Sequence, residues 1–390
     1  MTLISNKLSI RPKLNDNDTT IFTVMSKLAQ EHGAINLGQG FPDFDADPKL
    51  LKLVSHYVDQ GKNQYAPMAG LPRLLQVLSQ KLDRSFGMKV DPDTQICVTA
   101  GATQALFTAI MAFIHPGDEV IIIEPAYDCY KPQIELAGGV VVSYAITYPD
   151  YRIDWEAFED LVTNKTRMIV INTPHNPTGT ILSKGDLESL ERIVSNKNIV
   201  VLSDEVYEHI IFDKQQHQSV LRFPNLFEQS MAVFSFGKTL HATGWKLGYI
   251  VGPEKLISSF KAVHQWNVFC VNSFLQHAIA DYLESPEHYE GLSSFFQAKR
   301  DQMNKLFEEL PLKPILSKGT YFQLYSYEEI SDLPDLDFAR YLTAEIGVTT
   351  IPLSPFYSQN PEDKVVRLCF AKRGATMEAA ATRLSGLGSK

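Results

Sequence analysis

Ile199-Val200-Val201-Leu202-Ser203 runs directly into Asp204-Glu205-Val206-Tyr207, and Met231-Ala232-Val233-Phe234-Ser235-Phe236 into Gly237-Lys238-Thr239. Each is a short apolar run of the kind that forms a buried strand, and each ends on a group able to do chemistry. The texture repeats outward from these two. Residues 95–99, 119–123, 140–145 and 168–172 read as further strands, and 247–251 as a last one that could run antiparallel. Amphipathic stretches such as 103–113 and 184–195 lie between them, the second led by Ser183 as a candidate N-cap. Such alternation is the pattern of βα units, so the expected fold class is α/β, with a mostly parallel central sheet and helices on both faces.

With 390 residues the chain can bury a large core and form more than one lobe. The Pro/Gly-rich stretch 38–48 and a change of texture after about residue 285 place both chain ends outside the central unit. The expected division is an N-terminal arm with part of a small domain over 1–48, a large α/β domain over 49–285, and a smaller C-terminal α+β domain over 286–390. A formal charge of −9, with 44% apolar and 21% charged residues, gives no reason to expect nucleic acid or an anionic membrane as partner. The four cysteines, Cys97, Cys129, Cys270 and Cys369, lack metal-site spacing and are expected to be buried, reduced thiols. Residues 1–18 lack the apolar centre of a signal peptide, and nowhere do 18 apolar residues run together. The expectation is a cytoplasmic enzyme without a metal.

In open parallel sheets, ligands bind beyond the carboxyl ends of the strands. Tyr127 follows the second strand in Glu124-Pro125-Ala126-Tyr127, and Asn176 follows the 168–172 strand in Thr173-Pro174-His175-Asn176-Pro177-Thr178-Gly179. Asp204 with Tyr207, and Lys238, follow two more. A lysine that forms a Schiff base must offer a neutral amine, and at pH 7 an ordinary lysine is neutral in only about one copy in a few thousand. Lys238 therefore needs help from its surroundings. A lysine and an aspartate are the minimum pair for pyridoxal 5'-phosphate (PLP), whose ring nitrogen a carboxylate keeps protonated. Thr99-Ala100-Gly101-Ala102-Thr103-Gln104 has the strand-turn-helix form that offers backbone N–H groups to a phosphate. Ser235 and Lys246 lie in the same segment as Lys238, and a cationic Lys246 on the phosphate would leave Lys238 free.

Taken in order, these motifs resemble the class I, fold type I PLP-dependent aminotransferases. The resemblance runs from Asn36-Leu37-Gly38-Gln39-Gly40-Phe41-Pro42-Asp43 to Arg367-Leu368-Cys369-Phe370. Asn63-Gln64-Tyr65, Asp204-Glu205-Val206-Tyr207-Glu208-His209 and Thr243-Gly244-Trp245-Lys246 place it nearest the bacterial methionine aminotransferases and the kynurenine aminotransferase (glutamine transaminase K) group. The resemblance implies that Lys238 forms the internal aldimine and shuttles a proton between the substrate Cα and the cofactor C4'. It implies that Asp204 pairs with the pyridinium, that Asn176 and Tyr207 bond the phenolic oxygen, and that Tyr127 stacks on the ring. Gly101, Ala102, Thr103 and Gln104 would hold the phosphate together with Ser235 and Lys246, and Tyr65 would reach it from the other subunit of a homodimer. Arg367, with the Gly40 backbone and Asn176, would take the substrate carboxylate.

Phe22, Phe41, Tyr65, Tyr127, Phe269 and Phe356 would line the side-chain pocket, with Tyr65 and Phe269 crossing from the partner. The implied reaction is a ping-pong transfer of the amino group of methionine, aromatic amino acids or glutamine to a 2-oxo acid. A cysteine-conjugate or cystathionine β-lyase is the alternative that the same lysine and aspartate would serve. His175 is expected to be an ordinary turn residue, Trp245 and Trp266 to be packing residues, and 295–305 to be an amphipathic helix with solvated charges.

Overall fold

The computed structural model describes residues 13–14 and 19–388; residues 1–12 and 15–18 of the expected N-terminal arm lie outside the described residues. Seven strands form the large sheet: β1 Ile96–Thr99, β2 Glu119–Glu124, β3 Val140–Ala145, β4 Thr166–Asn172, β5 Val200–Asp204, β6 Ser230–Ser235 and β7 Gly248–Val251. Their order is β1-β7-β6-β5-β4-β2-β3. All pairs are parallel except the two made by β7, which runs antiparallel to both β1 and β6.

Strands covered on both faces read as continuous apolar runs, because successive side chains enter opposite layers. Ile121, Ile169, Val201 and Phe234 belong to one core cluster. Their neighbours Val120, Ile122, Val170, Leu202 and Val233 belong to the other. The expected strands are all present, with ends moved by a residue or two. Asp204 closes β5 rather than following it, and Phe236 opens a one-turn helix, Phe236–Thr239, that carries Lys238. Ser183 caps the helix Lys184–Val194, reciprocated by Asp186 in a capping box.

The chain ends meet beside this sheet. Ile35–Asn36 pairs in parallel with Val348–Thr349. A four-stranded antiparallel sheet joins Ile351–Pro352, Val365–Cys369, Phe322–Ser326 and Lys313–Ile315, in that order. The Cys369 N–H donates to the Leu37 carbonyl at 2.7 Å, so the strand bearing Arg367 is stitched to the Asn36–Asp43 segment. Lys372, next along, is buried and donates to the Phe41 carbonyl at 3.0 Å. Asp43 in turn accepts from the Arg373 N–H and the Thr376 hydroxyl, each at 2.6 Å.

Beneath the loop after β5, Lys81 and Glu208 form a fully buried ion pair at 3.0 Å, with the Tyr249 hydroxyl 3.3 Å from the amine. It fixes the helix Pro72–Phe86 to the segment that carries Asp204 and Tyr207.

Three expectations are corrected here. Cys97 and Cys369 are buried, but Cys129 and Cys270 are only half-buried, and all four thiols are free. The helix Leu292–Leu306 is amphipathic, yet its charges are not all solvated: Arg300 is buried, and its two Nη atoms reach Asp213 at 2.8 Å. Trp266 is 84% exposed and packs no core. Among the described residues no helix is long and apolar enough to cross a membrane, and no group of His, Cys, Asp and Glu is placed to hold a metal.

Candidate active site

Register decides which residues share an edge of the sheet. Gly248 of β7 faces Thr99 of β1 on one side and Ser235 of β6 on the other. Asn172 of β4 faces Asp204 of β5, which faces Val233 of β6. The turns that leave these positions therefore open on one crevice. Gly248 has no room for a side chain, since a Cβ there would stand 2.5 Å from the Phe234 carbonyl oxygen.

The crevice holds a cavity of about 290 Å³. Gly101, Ala102, Thr103, Tyr127, Asn176, Asp204, Tyr207, Ser235, Lys238 and Lys246 line it, with Gly40, Phe22 and Arg367 across from the sheet. The structure thus gathers most of the residues singled out in the sequence. Five lie elsewhere. The Gln104 side chain is engaged within the fold, accepting from the Ala100 N–H at 3.0 Å and donating to the Thr108 hydroxyl at 2.6 Å. Phe356 is buried against Phe22, with ring centroids 5.7 Å apart, and Phe41 is half exposed beside Lys372. Tyr65 and Phe269 meet edge to face at 5.4 Å on the outer surface.

Lys238 Nζ lies 2.7 Å from the Tyr321 hydroxyl and 3.3 Å from the Gly40 carbonyl oxygen. Burial is the main influence on its basicity, with Arg367 and Lys246 acting in the same direction, and brings its pKa down to about 8. Asp204 is buried and pushed up to about 6 by desolvation. The Tyr130 hydroxyl, donating to Asp204 Oδ2 at 2.6 Å, works against that rise. Among the described residues no cationic side chain lies within ion-pair distance of Asp204. His175 is buried with its ring 2.7 Å from the Thr178 hydroxyl, and desolvation holds it near pKa 4, in keeping with a structural turn residue.

At the far end, Gly101 turns at φ 81° into the helix Ala102–Phe113, which no side chain caps. Its first-turn N–H groups and the positive end of its dipole face the cavity beside Lys246 and Ser235, an arrangement suited to an anion.

Across the cavity Arg367 is 1% exposed. Its Nη1 donates to Asn176 Oδ1 at 2.7 Å and its Nη2 to the Gly38 carbonyl at 2.9 Å. Gly40, expected to complete the carboxylate clamp with its backbone, lines the same cavity and turns its carbonyl to Lys238. The guanidinium lies 3.8 Å over the Phe322 ring and 5.1 Å from that of Phe22. Among the described residues it has no carboxylate within ion-pair distance, and its Nε has no partner. A buried guanidinium left this way is costly unless a ligand completes it.

Tyr130, Asn172, Tyr321 and Phe322 were not singled out in the sequence. Asn172 ends β4 and was legible as a strand-end residue: its Nδ2 donates to the Asp204 carbonyl and its Oδ1 accepts from the Asn176 N–H, both at 2.8 Å. The other three are aromatic residues buried in the fold.

Residues 32–384 match the family described as aminotransferase class I and II. The chain belongs to this family. It is similar to the methionine aminotransferase of Escherichia coli K12, 47% identical over 99% of this chain and 100% of that protein. It is also similar to kynurenine–oxoglutarate transaminase 1 of Mus musculus, 34% identical over 98% of each chain. A crystal structure from Escherichia coli, described as identifying a methionine aminotransferase function, superposes with a TM-score of 0.95 at 47% identity, over 97% of this chain and 100% of that one.

The protein is thus a PLP-dependent aminotransferase of fold type I. Its cavity fits that cofactor on the chain's own terms. A buried carboxylate without a cation stands ready for a ring N–H, an uncapped helix with Lys246 for a phosphate, and an amine of depressed basicity for an aldehyde.

In cofactor-free protein, acylation of Lys238 by a small amine-directed reagent, followed by peptide mass spectrometry, should rise with a midpoint near pH 8. That corresponds to about one neutral amine in ten at pH 7. A midpoint above pH 10 would contradict the burial assigned to this amine.

Proposed function

We propose that this aminotransferase takes methionine as an amino donor, with aromatic amino acids and glutamine as further donors, and returns the nitrogen to a 2-oxo acid. The observation that carries the reading is the cation count of the cavity: among the described residues, Lys238, Lys246 and Arg367 are its only cationic lining residues. With Lys238 assigned to the reacting centre and Lys246 to the phosphate, Arg367 alone remains for the α-carboxylate, and no cation is left for an acidic side chain. Phe22 and Phe322 flank the guanidinium, so the substrate enters against rings that suit a thioether or an aromatic group. The likeness to a methionine aminotransferase over the full length supports the same choice.

When bound, PLP supplies the electron sink for a carbanion at the substrate Cα. The chain's own residues supply the rest. Lys246, Ser235 and the N–H groups of Gly101 to Thr103 would anchor the phosphate. The Asp204 carboxylate, oriented by Tyr130, would hold the proton on the ring nitrogen. Asn176 and Tyr207 would bond the phenolic oxygen and Tyr127 would cover the ring. Arg367 would grip the substrate carboxylate in the bidentate geometry a guanidinium favours. Lys238 Nζ, partly neutral near pH 7, would take the proton from Cα and give it up again.

Tyr65, 84% exposed, and Phe269, 47% exposed, pack on each other outside this cavity. That placement supports a homodimer in which both residues serve the partner's site.

Arg367→Met should lower kcat/KM for methionine by about 100- to 1000-fold. It removes a buried charge that lacks an ion-pair partner and, against that, two hydrogen bonds to Asn176 and Gly38, so the unfolding midpoint should move little. Parental kcat/KM in this variant would remove Arg367 from the carboxylate role. Mixing inactive Lys238→Ala chains with impaired Tyr65→Ala chains should restore activity, because one hybrid site recovers both residues; strictly additive rates would refute the shared site.

A further inference from the structure

The contact between Lys238 and Tyr321 has a direction that the hydrogen bookkeeping settles. The Tyr321 hydroxyl lies 2.5 Å from the Gly40 carbonyl oxygen. A carbonyl has no hydrogen to give, so this bond exists only if the phenol donates its one proton to Gly40. Tyr321 is fully buried, and desolvation holds its phenol well above the usual range, so it keeps that proton. Towards Lys238, 2.7 Å away, its oxygen can then only accept. The second oxygen near the amine, the Gly40 carbonyl at 3.3 Å, is also only an acceptor.

We infer that Tyr321 is a positioning residue for the Lys238 amine: its hydroxyl, with its proton committed to Gly40, takes one amine hydrogen and leaves the nitrogen lone pair free to face the cavity. This goes beyond the proposed function and rests on that reading for the role of Lys238. The ring of Tyr321 is held in place by edge-to-face contact with Phe322 at 4.8 Å and with Tyr207 at 5.1 Å, so the oxygen is fixed by packing rather than by the amine. The arrangement also links the reacting amine to the Asn36–Asp43 segment through one peptide group.

Other groups facing Lys238 are Asp204 at the end of β5, Tyr207 in the loop that follows, Lys246 before β7, and Arg367 and Cys369 from the Val365–Cys369 strand. Tyr321→Phe keeps the ring and all of these side chains, and of them only Tyr207 loses a hydrogen-bond partner with the hydroxyl. An accepting oxygen stabilises the ammonium more than the amine, so its loss must lower the titration point of Lys238.

In cofactor-free Tyr321→Phe protein, the acylation midpoint of Lys238 should fall by about one pH unit from that of the parent. In the loaded enzyme kcat should fall about tenfold with KM for the amino donor within about twofold. If the Phe variant does not fold, 4-fluorophenylalanine at position 321, which puts a much weaker, non-ionising acceptor in the place of the hydroxyl, must move the midpoint in the same direction. An unchanged midpoint in the folded variant, or in the fluorinated protein, would overturn the inference. The titration needs no aminotransfer, so its failure is separable from failure of the proposed site, whose carboxylate clamp the substrate measurements on Arg367→Met read instead.

Discussion

The structure depends on keeping buried charges apart from one another. Asp204, Lys238 and Arg367 all line one cavity, are removed from bulk water, and do not pair with each other at ion-pair distance. Burial raises the pKa of Asp204 and lowers that of Lys238, but no ion pair neutralises any of the three. Here hydroxyls and carbonyls hold them instead: Tyr130 for Asp204, Tyr321 and Gly40 for Lys238, Asn176 and Gly38 for Arg367. Neutral partners fix direction without cancelling charge, so the full electrostatic gain remains for cofactor and substrate.

That arrangement needs a stiff support, and the surrounding core provides it. The parallel strands β4, β5 and β6 deliver Asn172, Asp204 and Lys238 to one edge, and the antiparallel β7 brings Lys246 back to the same edge between β1 and β6. Below, the buried Lys81–Glu208 pair anchors the loop of Asp204 and Tyr207. Removing one member of such a pair is far more costly than replacing both, which makes it a device for position more than for net stability. On the opposite wall Lys372 and Asp43 hold the Gln39–Asp43 loop from behind, so Gly38 and Gly40 present their carbonyls inward.

The part of this that was legible in the sequence is the part written locally. An apolar run ending on Asp204 or near Lys238 announces both a buried strand and a reactive end, and the order of motifs carried the family. What the sequence did not show depends on tertiary neighbours. Tyr130, Tyr321 and Phe322 look like core aromatics, and only the fold shows that two of them spend a hydroxyl on Asp204 and Lys238. Gln104 follows the phosphate turn in sequence, yet the helix directs its amide to Thr108. Trp266 and Arg300 each break the usual assignment of burial by residue type, one exposed and one buried beside Asp213.

The central claim is that the amine at the end of β6, and no other lysine, holds the cofactor. Borohydride reduction of the PLP-loaded enzyme, followed by digestion and peptide mass spectrometry, tests it directly. The account predicts a single phosphopyridoxyl adduct on Lys238, with Lys246 unlabelled although it lies in the same cavity. An adduct on Lys246, or on any lysine outside the cavity with Lys238 unmodified, would contradict it.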